Sequence, residues 1–300
     1  MKTNMKKASP KMRDKLQEGI LRSPFLILFA IFTVIPVLSS IILSFTNFNM
    51  LEFPTFVGLE NYIHLFVEDD VFLIAVKNTL IFAILTGPIS YFLALIVAWL
   101  INEMRPGIRS AFTLLFYAPS IAGNVFFIWS FIFSSDAYGY ANGVLMNLGI
   151  INEPVKWFTD PRYMLIIIII VQLWMSLGVG FLSFVAGLQS IDRSLYEAGA
   201  VDGIKNRFQE LVYITLPSMG PQLMFGAVMQ ISASFGVGAV SAALAGFPST
   251  DYAAHTIVLH IQDYGTLRYQ MGYASAIAVV LFGAMLLVNS VIKKILNRYM

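Results

Sequence analysis

Cysteine is absent from all 300 positions, which excludes disulfides, thiolate catalysis and Cys-ligated zinc or iron–sulfur centres. Charge is scarce. Lys, Arg, Asp and Glu make up 12% of the chain against 58% hydrophobic residues, about half the charged share of a soluble domain. Histidine occurs only at His64, His255 and His260. The last two are five apart in a polar stretch and off a common helical face, so no metal site is expected. No Gly-x-x-x-x-Gly-Lys-Ser/Thr run occurs, so nothing here cradles nucleotide phosphates, and no Ser-His-Asp or paired-carboxylate arrangement stands out. The chain is expected to be neither an enzyme nor a holder of a cofactor, and no nucleic-acid partner is expected. All 17 acidic residues fall in predicted loops or termini. Ion-driven carriers commonly place a carboxylate at mid-membrane, so this distribution argues against one, although backbone carbonyls can also hold sodium.

Long apolar runs, by contrast, are abundant. Six are long enough to cross a bilayer, near 24–46, 78–101, 110–133, 163–188, 218–245 and 271–292. Ahead of the first stand Lys2, Lys6, Lys7, Lys11, Arg13, Lys15 and Arg22. The apolar run from Phe25 to Phe45 is too long for a signal-peptide core and reads as an uncleaved helix. Those seven, with Arg105, Arg109, Arg193, Lys205, Arg207, Lys293, Lys294 and Arg298, put fifteen basic residues on one side, against Lys77, Lys156, Arg162 and Arg268 on the other. Basic residues concentrate on the cytoplasmic side. The expectation is an all-α integral membrane domain over 24–292, with a cytoplasmic segment 1–23 before it and a cytoplasmic tail 293–300 after it. Pro36, Pro88, Pro119 and Pro221 fall inside the predicted spans, where kinks need neighbouring helices or a wet cavity to satisfy freed carbonyls.

The chain is organised around Ser194–Pro217, its most charged interval in the C-terminal half. Ser194 and Glu197 have the spacing of a capping box. Leu195, Tyr196, Ala198, Ala200 and Val201 make the helix that follows small and apolar, and Gly203 suits the left-handed position past its end. Phe208, Leu211, Val212 and Thr215, at i, i+3, i+4, i+7, predict a second helix ending or bending at Pro217. Two short helices meet at Gly203 in an elbow. A small capped knob of this kind suits a groove in another protein better than it suits open solvent.

Glu197-Ala198-Gly199, Asp202-Gly203 and Ile214-Thr215-Leu216-Pro217 resemble the EAA loop of permease subunits of binding-protein-dependent ABC importers. Phe56-Val57-Gly58-Leu59-Glu60-Asn61-Tyr62 and Asn78-Thr79-Leu80 are similar to the sugar-importing branch, the maltose and multiple-sugar permeases. With the predicted layout, the resemblance covers about residues 20–295. It implies a type I ABC importer-like permease of six helices in the bacterial inner membrane, whose 190–217 loop is the coupling helix for a separate ATPase. Glu197, Ala198, Gly199, Asp202, Gly203 and Pro217 would carry that coupling. The implied partners are a dimer of ATP-binding subunits, which hold ATP and Mg, a sister permease completing a heterodimer, and an extracellular or periplasmic solute-binding protein. Gly199 stands where the family usually has Ala, and at about 1 kcal/mol of helix propensity this predicts a looser stub until it docks.

In the fourth and fifth spans, which flank the elbow and supply most substrate contacts in the family, polar groups lie at helical spacing. Gln172, Met175, Ser176 and Val179 share one stripe with Trp174 beside it, and Gln230, Ala233, Ser234 and Val237 share another. They fit a path-facing strip of amides and hydroxyls with an aromatic for a sugar ring, and equally fit interhelical bonds of about 0.6 kcal/mol each. Asn124 is a further candidate in the third span. Val179, Ala233 and Val237 stand where relatives carry larger side chains, which implies a roomier site. The expected function is half of the translocation path of a sugar or oligosaccharide importer. A glycerol phosphodiester or polyol importer of the same type, or an ion-coupled carrier, is the alternative.

Overall fold

The computed structural model describes the backbone of residues 10–299 and the side chains of residues 18–296; Lys2, Lys6 and Lys7 lie outside the described residues. Helix α1 (Pro10–Phe29) passes through a π-helical turn, Ala30–Val34, into α2 (Ile35–Leu43). After α3 (Glu60–Ile63) comes α4 (Asp70–Asn102), the longest helix. At 1.5 Å per residue its 33 residues extend about 50 Å, well beyond a 30 Å hydrocarbon core. Asp69 caps it by accepting the Phe72 amide at 2.9 Å. There follow α5 (Pro106–Ile121), α6 (Phe127–Ile132), α7 (Tyr140–Asn147), α8 (Pro161–Met175) and α9 (Val179–Ser190). The elbow contributes α10 (Arg193–Val201), α11 (Arg207–Glu210) and α12 (Leu216–Ser218). The rest is α13 (Gly220–Phe235), α14 (Ala239–Ala245), α15 (Ile257–Gln262) and α16 (Met271–Tyr299).

Five apolar runs among the described residues are long enough to span: Glu18–Leu43, Asp70–Asn102, Pro161–Ser190, Gly220–Ala245 and Met271–Leu296. The third expected span, 110–133, is not one helix. Pro119 sits near the end of α5, Ala122 turns extended (φ −82°, ψ 99°), and Asn124 lies in the turn before α6. Of the four prolines expected to kink spans, Pro88 and Pro119 lie inside helices, Pro36 follows the π-helical turn within the continuous α1–α2 run, and Pro221 occupies a first turn, where a missing N–H costs nothing.

The core is built on α4, α9 and α13, which pack on one another most extensively. Small residues let α9 and α13 approach closely. A Cβ on Gly226 would stand 2.3 Å from the Phe184 ring, and one on Gly187 would stand 2.8 Å from Gln222. In hydrocarbon, where apolar helices gain little from leaving lipid, this van der Waals fit is what holds helices together. The α1–α2 run buries none of its most apolar window and leans through α2 on α16.

The sugar-branch motifs have structural tasks at the end of the bundle where α4 begins. Asn61 donates to the Ser44 and Thr46 carbonyls, both at 2.8 Å, closing the end of α2. Asn78 donates to the Tyr252 and His255 carbonyls at 3.0 and 2.9 Å, and the Ile257 amide donates to Thr79 Oγ1 at 2.9 Å. These two residues pin the 246–257 segment to α4. Asn142, buried, likewise ties Ser134, Asp136, Val155 and Trp157 together, so the 134–162 connection is an ordered surface.

Candidate functional site

The elbow is defined by its caps. Helix α10 starts at Arg193 because Asp192, not Ser194, is the N-cap: its carboxylate accepts the Ser194 amide at 2.9 Å. The predicted Ser194–Glu197 box is therefore corrected. An anion here also favours the helix dipole, and the Ser194 amide and hydroxyl hold the Asp192 carboxyl below its usual range. At the other end Gly203 is left-handed, φ 97°. The Ile204 amide donates to the Gly199 carbonyl at 2.9 Å and the Gly203 amide to the Ala200 carbonyl at 3.4 Å, a Schellman motif that satisfies the last carbonyls of α10.

Gly199 is buried at this cap. A Cβ there would lie 2.6 Å from Ile214 Cδ1 and 3.1 Å from Ile204 Cδ1. The glycine thus brings α10 directly against the next helix, which corrects the expectation of a looser stub. Tyr196 and Thr215 share a 3.0 Å hydrogen bond across the same seam. Asn206 caps α11 through the Gln209 amide at 2.8 Å, and Gln209 Oε1 accepts the Lys205 amide at 2.8 Å. The second arm passes through a π-helical turn, Leu211–Thr215, into α12, with Pro217 in its first turn. Arg207 meets Glu103, just past the end of α4, at 3.0 Å, and Glu210 at 2.6 Å. All three keep solvent access, so these pairs orient more than they stabilise.

What the elbow leaves outside is apolar and acidic together. Glu197, Ala198, Asp202 and Leu195 are exposed, and Val201 is 87% exposed. The Arg193–Glu197 pair is loose at 3.8 Å and almost fully solvated.

The expected path residues fall into two groups. Gln230 and Ser234 are buried against α4: Ser90 Oγ donates to Gln230 Oε1 at 3.1 Å, and Ser234 Oγ donates to the Ile231 carbonyl at 2.8 Å beside Gly87. Gln230 Nε2 donates to the Ser176 carbonyl at 3.1 Å. Val179, Ala233 and Asn124 are exposed, whereas Val237 is buried. Of the stripe that periodicity predicted, Ala233 therefore faces away from Gln230 and Ser234, and Val237 lies past the end of α13. Gln172, Trp174, Met175 and Ser176 are half-buried at the end of α8, with Trp174 edge-on to Trp129 at 5.6 Å.

Sequence periodicity missed why Gln230 is there. The fourth span breaks at Ser176–Gly178 and the fifth at Gly236–Gly238. Each break frees carbonyls that hydrocarbon cannot solvate. Gln230 covers the Ser176 carbonyl, and Thr256 Oγ1 covers the Val237 carbonyl at 2.7 Å. The available signal was Gly178 in one span and the Gly236-Val237-Gly238 run in the other. Replacing Gln230 by Leu removes two such bonds, an expected cost of about 1 kcal/mol in bundle stability with the half-saturating substrate concentration unchanged. A shifted half-saturation with stability intact would place Gln230 in the path instead.

His255 and His260, expected apart in an exposed loop, are buried and touch, Nε2 to Nδ1 at 3.2 Å. His64 pairs with Glu68 at 2.8 Å.

A helical bundle with two interrupted spans and a capped, exposed elbow suits a membrane transport subunit. The sequence profile described as "Binding-protein-dependent transport system inner membrane component" matches residues 87–300, and the chain belongs to that family. It is 33% identical over 283 residues to the probable ABC transporter permease protein YesP of Bacillus subtilis (strain 168), covering 92% of this chain and 89% of the relative. It is 32% identical over 209 residues to the lactose transport system permease protein LacF of Rhizobium radiobacter, covering 69% and 68%. The fold matches a crystal structure of a bacterial ABC transporter involved in import of the acidic polysaccharide alginate, with a TM-score of 0.74, 26% identity and 96% of each chain covered. A crystal structure of the bacterial alginate ABC transporter in complex with its alginate pentasaccharide-bound periplasmic protein gives 0.74, 25% identity and 93% and 92% coverage.

Proposed function

We propose that this chain forms half of the translocation path of an ATP-driven importer for a sugar or oligosaccharide. The observation that carries the reading is the elbow, capped at both ends, locked to the next arm by Gly199 and Tyr196, and apolar on its free face. On this reading the face docks in an ATPase subunit, the elbow end is cytoplasmic with both termini, and a sister permease supplies the second elbow that a pair of ATPases requires. The opposite end receives a solute-binding protein, as the alginate complex does. The paired breaks at Ser176–Gly178 and Gly236–Gly238 would line the path, because discontinuous helices bring polar backbone to mid-membrane without exposing it to lipid. Trp174, Met175, Val179 and Asn124 are the candidate contacts on that side. The breaks carry no charged side chain, which suits a neutral sugar better than a phosphate ester.

The test is purification of the chain from its native membrane, wild type against Glu197→Lys with Asp202→Lys, with bound proteins identified by mass. The expected result is an ATPase, a sister permease and a binding protein with wild type, and loss of the ATPase alone from the variant. An ATPase that ignores the elbow, or a chain recovered without partners, overturns the reading.

A further inference from the structure

At the end of α4 remote from the elbow, four elements converge on a buried polar cluster that the transport reading does not use. Asp69, just ahead of α4, accepts from Tyr273 Oη of α16 at 2.7 Å and bonds His260 Nε2 of α15 at 2.9 Å. His260 Nδ1 meets His255 Nε2 at 3.2 Å, while His255 Nδ1, equally buried, has no partner. The bond pattern orders the protons. With Asp69 an acceptor, His260 donates through Nε2, and in the neutral pair its Nδ1 accepts from His255 Nε2. Phe247 stacks on His255, with ring centroids 6.0 Å apart, and Tyr252 meets its edge. The flanking charged and titratable groups are Asp263 and Arg268, paired at 2.7 Å, Tyr264 over His260, and His64 beside Tyr273. None of them hydrogen-bonds to His255.

We propose that Asp69, His260 and His255 form a proton-sensitive latch that holds the 246–270 segment on the bundle and releases it when the solution at that end turns mildly acidic. A proton on His255 would sit 1% exposed with no carboxylate in contact. Burial, then the neighbouring His260, pushes His255 down from 6.5 to about 4; burial also lowers His260, against the opposing pull of Asp69. Burial pushes Asp69 up, but bonds from Tyr273, the Phe72 amide and His260 outweigh it and hold the carboxyl low. The sign follows. A released His255 regains 6.5, so the released state binds the proton more strongly, and the latch is fully held above that pH and weakens as pH falls toward 4. For His255 alone, release at pH 5 is favoured about thirty-fold over pH 8. The segment also carries Thr256, which covers the Val237 carbonyl at the α13–α14 break. Release therefore uncovers that break and couples the latch to the proposed path. The sidedness of the latch and its coupling to the path rest on the transport reading; the latch itself does not.

The absence of cysteine makes the test direct. A nitroxide on Thr250→Cys, exposed on the segment, is followed by spin-label mobility in the full chain in lipid nanodiscs from pH 8 to 4.5. The ratio of mobile to held label is expected to rise about thirty-fold by pH 5, and to stay flat in His255→Phe, which keeps the ring stacking and cannot take a proton. A flat wild-type profile, an equal rise in His255→Phe, or parallel loosening of a label on Val201→Cys in the elbow overturns the latch. Right-side-out vesicles with pH set separately on each side give the sidedness. A response to external pH supports latch and orientation together, whereas a response to internal pH alone keeps the latch and overturns the orientation.

Discussion

Gly203→Pro is expected to cut ATP-driven uptake about a hundredfold while the protein still accumulates in the membrane. Two independent demands fail at once. Gly203 holds φ at 97°, and proline fixes φ near −65°; the Gly203 amide donates to the Ala200 carbonyl at 3.4 Å, and proline has no such proton. The expected cost of about 3 kcal/mol falls on the shape of the elbow and corresponds to about a hundredfold fewer correctly shaped elbows. The spans do not depend on this residue: a Cβ built there meets nothing within 4 Å. The check is uptake into vesicles carrying the complete importer, with equal amounts of chain in the membrane. Gly203→Asn, which tolerates the left-handed region, should keep most of the activity. Undiminished uptake with Gly203→Pro would remove the elbow from the coupling path.

Gly226→Val is expected to produce the largest loss of stability. Its Cβ would stand 2.3 Å from Phe184 Cζ and 2.4 Å from Cε1, and Phe184 is fully buried between α9 and α13. The ring has no space to turn into, since it meets Tyr91 edge-on at 5.4 Å. Overpacking of this kind costs about 1–3 kcal/mol or more. Thermal unfolding in detergent should show a lowered midpoint, and Phe184→Leu added to Gly226→Val should restore part of it. Because the two residues touch, the effects are non-additive. A double variant no more stable than Gly226→Val would mean that the seam does not depend on this contact.

The elbow was legible in the sequence because everything that shapes it is local. A left-handed glycine, an amide acceptor before the first turn and apolar residues three and four apart act over a few residues, and their physics does not wait for the rest of the chain. Even there, Ser194 was one capping group too late, since an aspartate two positions earlier accepts the Ser194 amide and starts the helix at Arg193. The tight fit of Gly199 needed Ile214, fifteen residues on, and was invisible as anything but lost propensity. The breaks in the fourth and fifth spans were hidden for a related reason. Hydropathy averages over about twenty residues, and a one-turn interruption flanked by isoleucine, leucine and valine leaves the mean unchanged.

Composition alone determined that the chain lives in a membrane and carries no thiol chemistry, because solvation and ligand chemistry depend on which residues exist and how long their apolar runs are. Short-range caps then shaped the elbow. Tertiary structure alone decided which polar side chains are spoken for. Gln230 fitted a path-facing strip and an interhelical bond alike in the sequence, and the structure puts its amide on the Ser176 carbonyl; it likewise puts His260 on Asp69, 191 positions away. In an interior without water, each freed backbone group must find a partner across the fold, and no local pattern records where that partner lies.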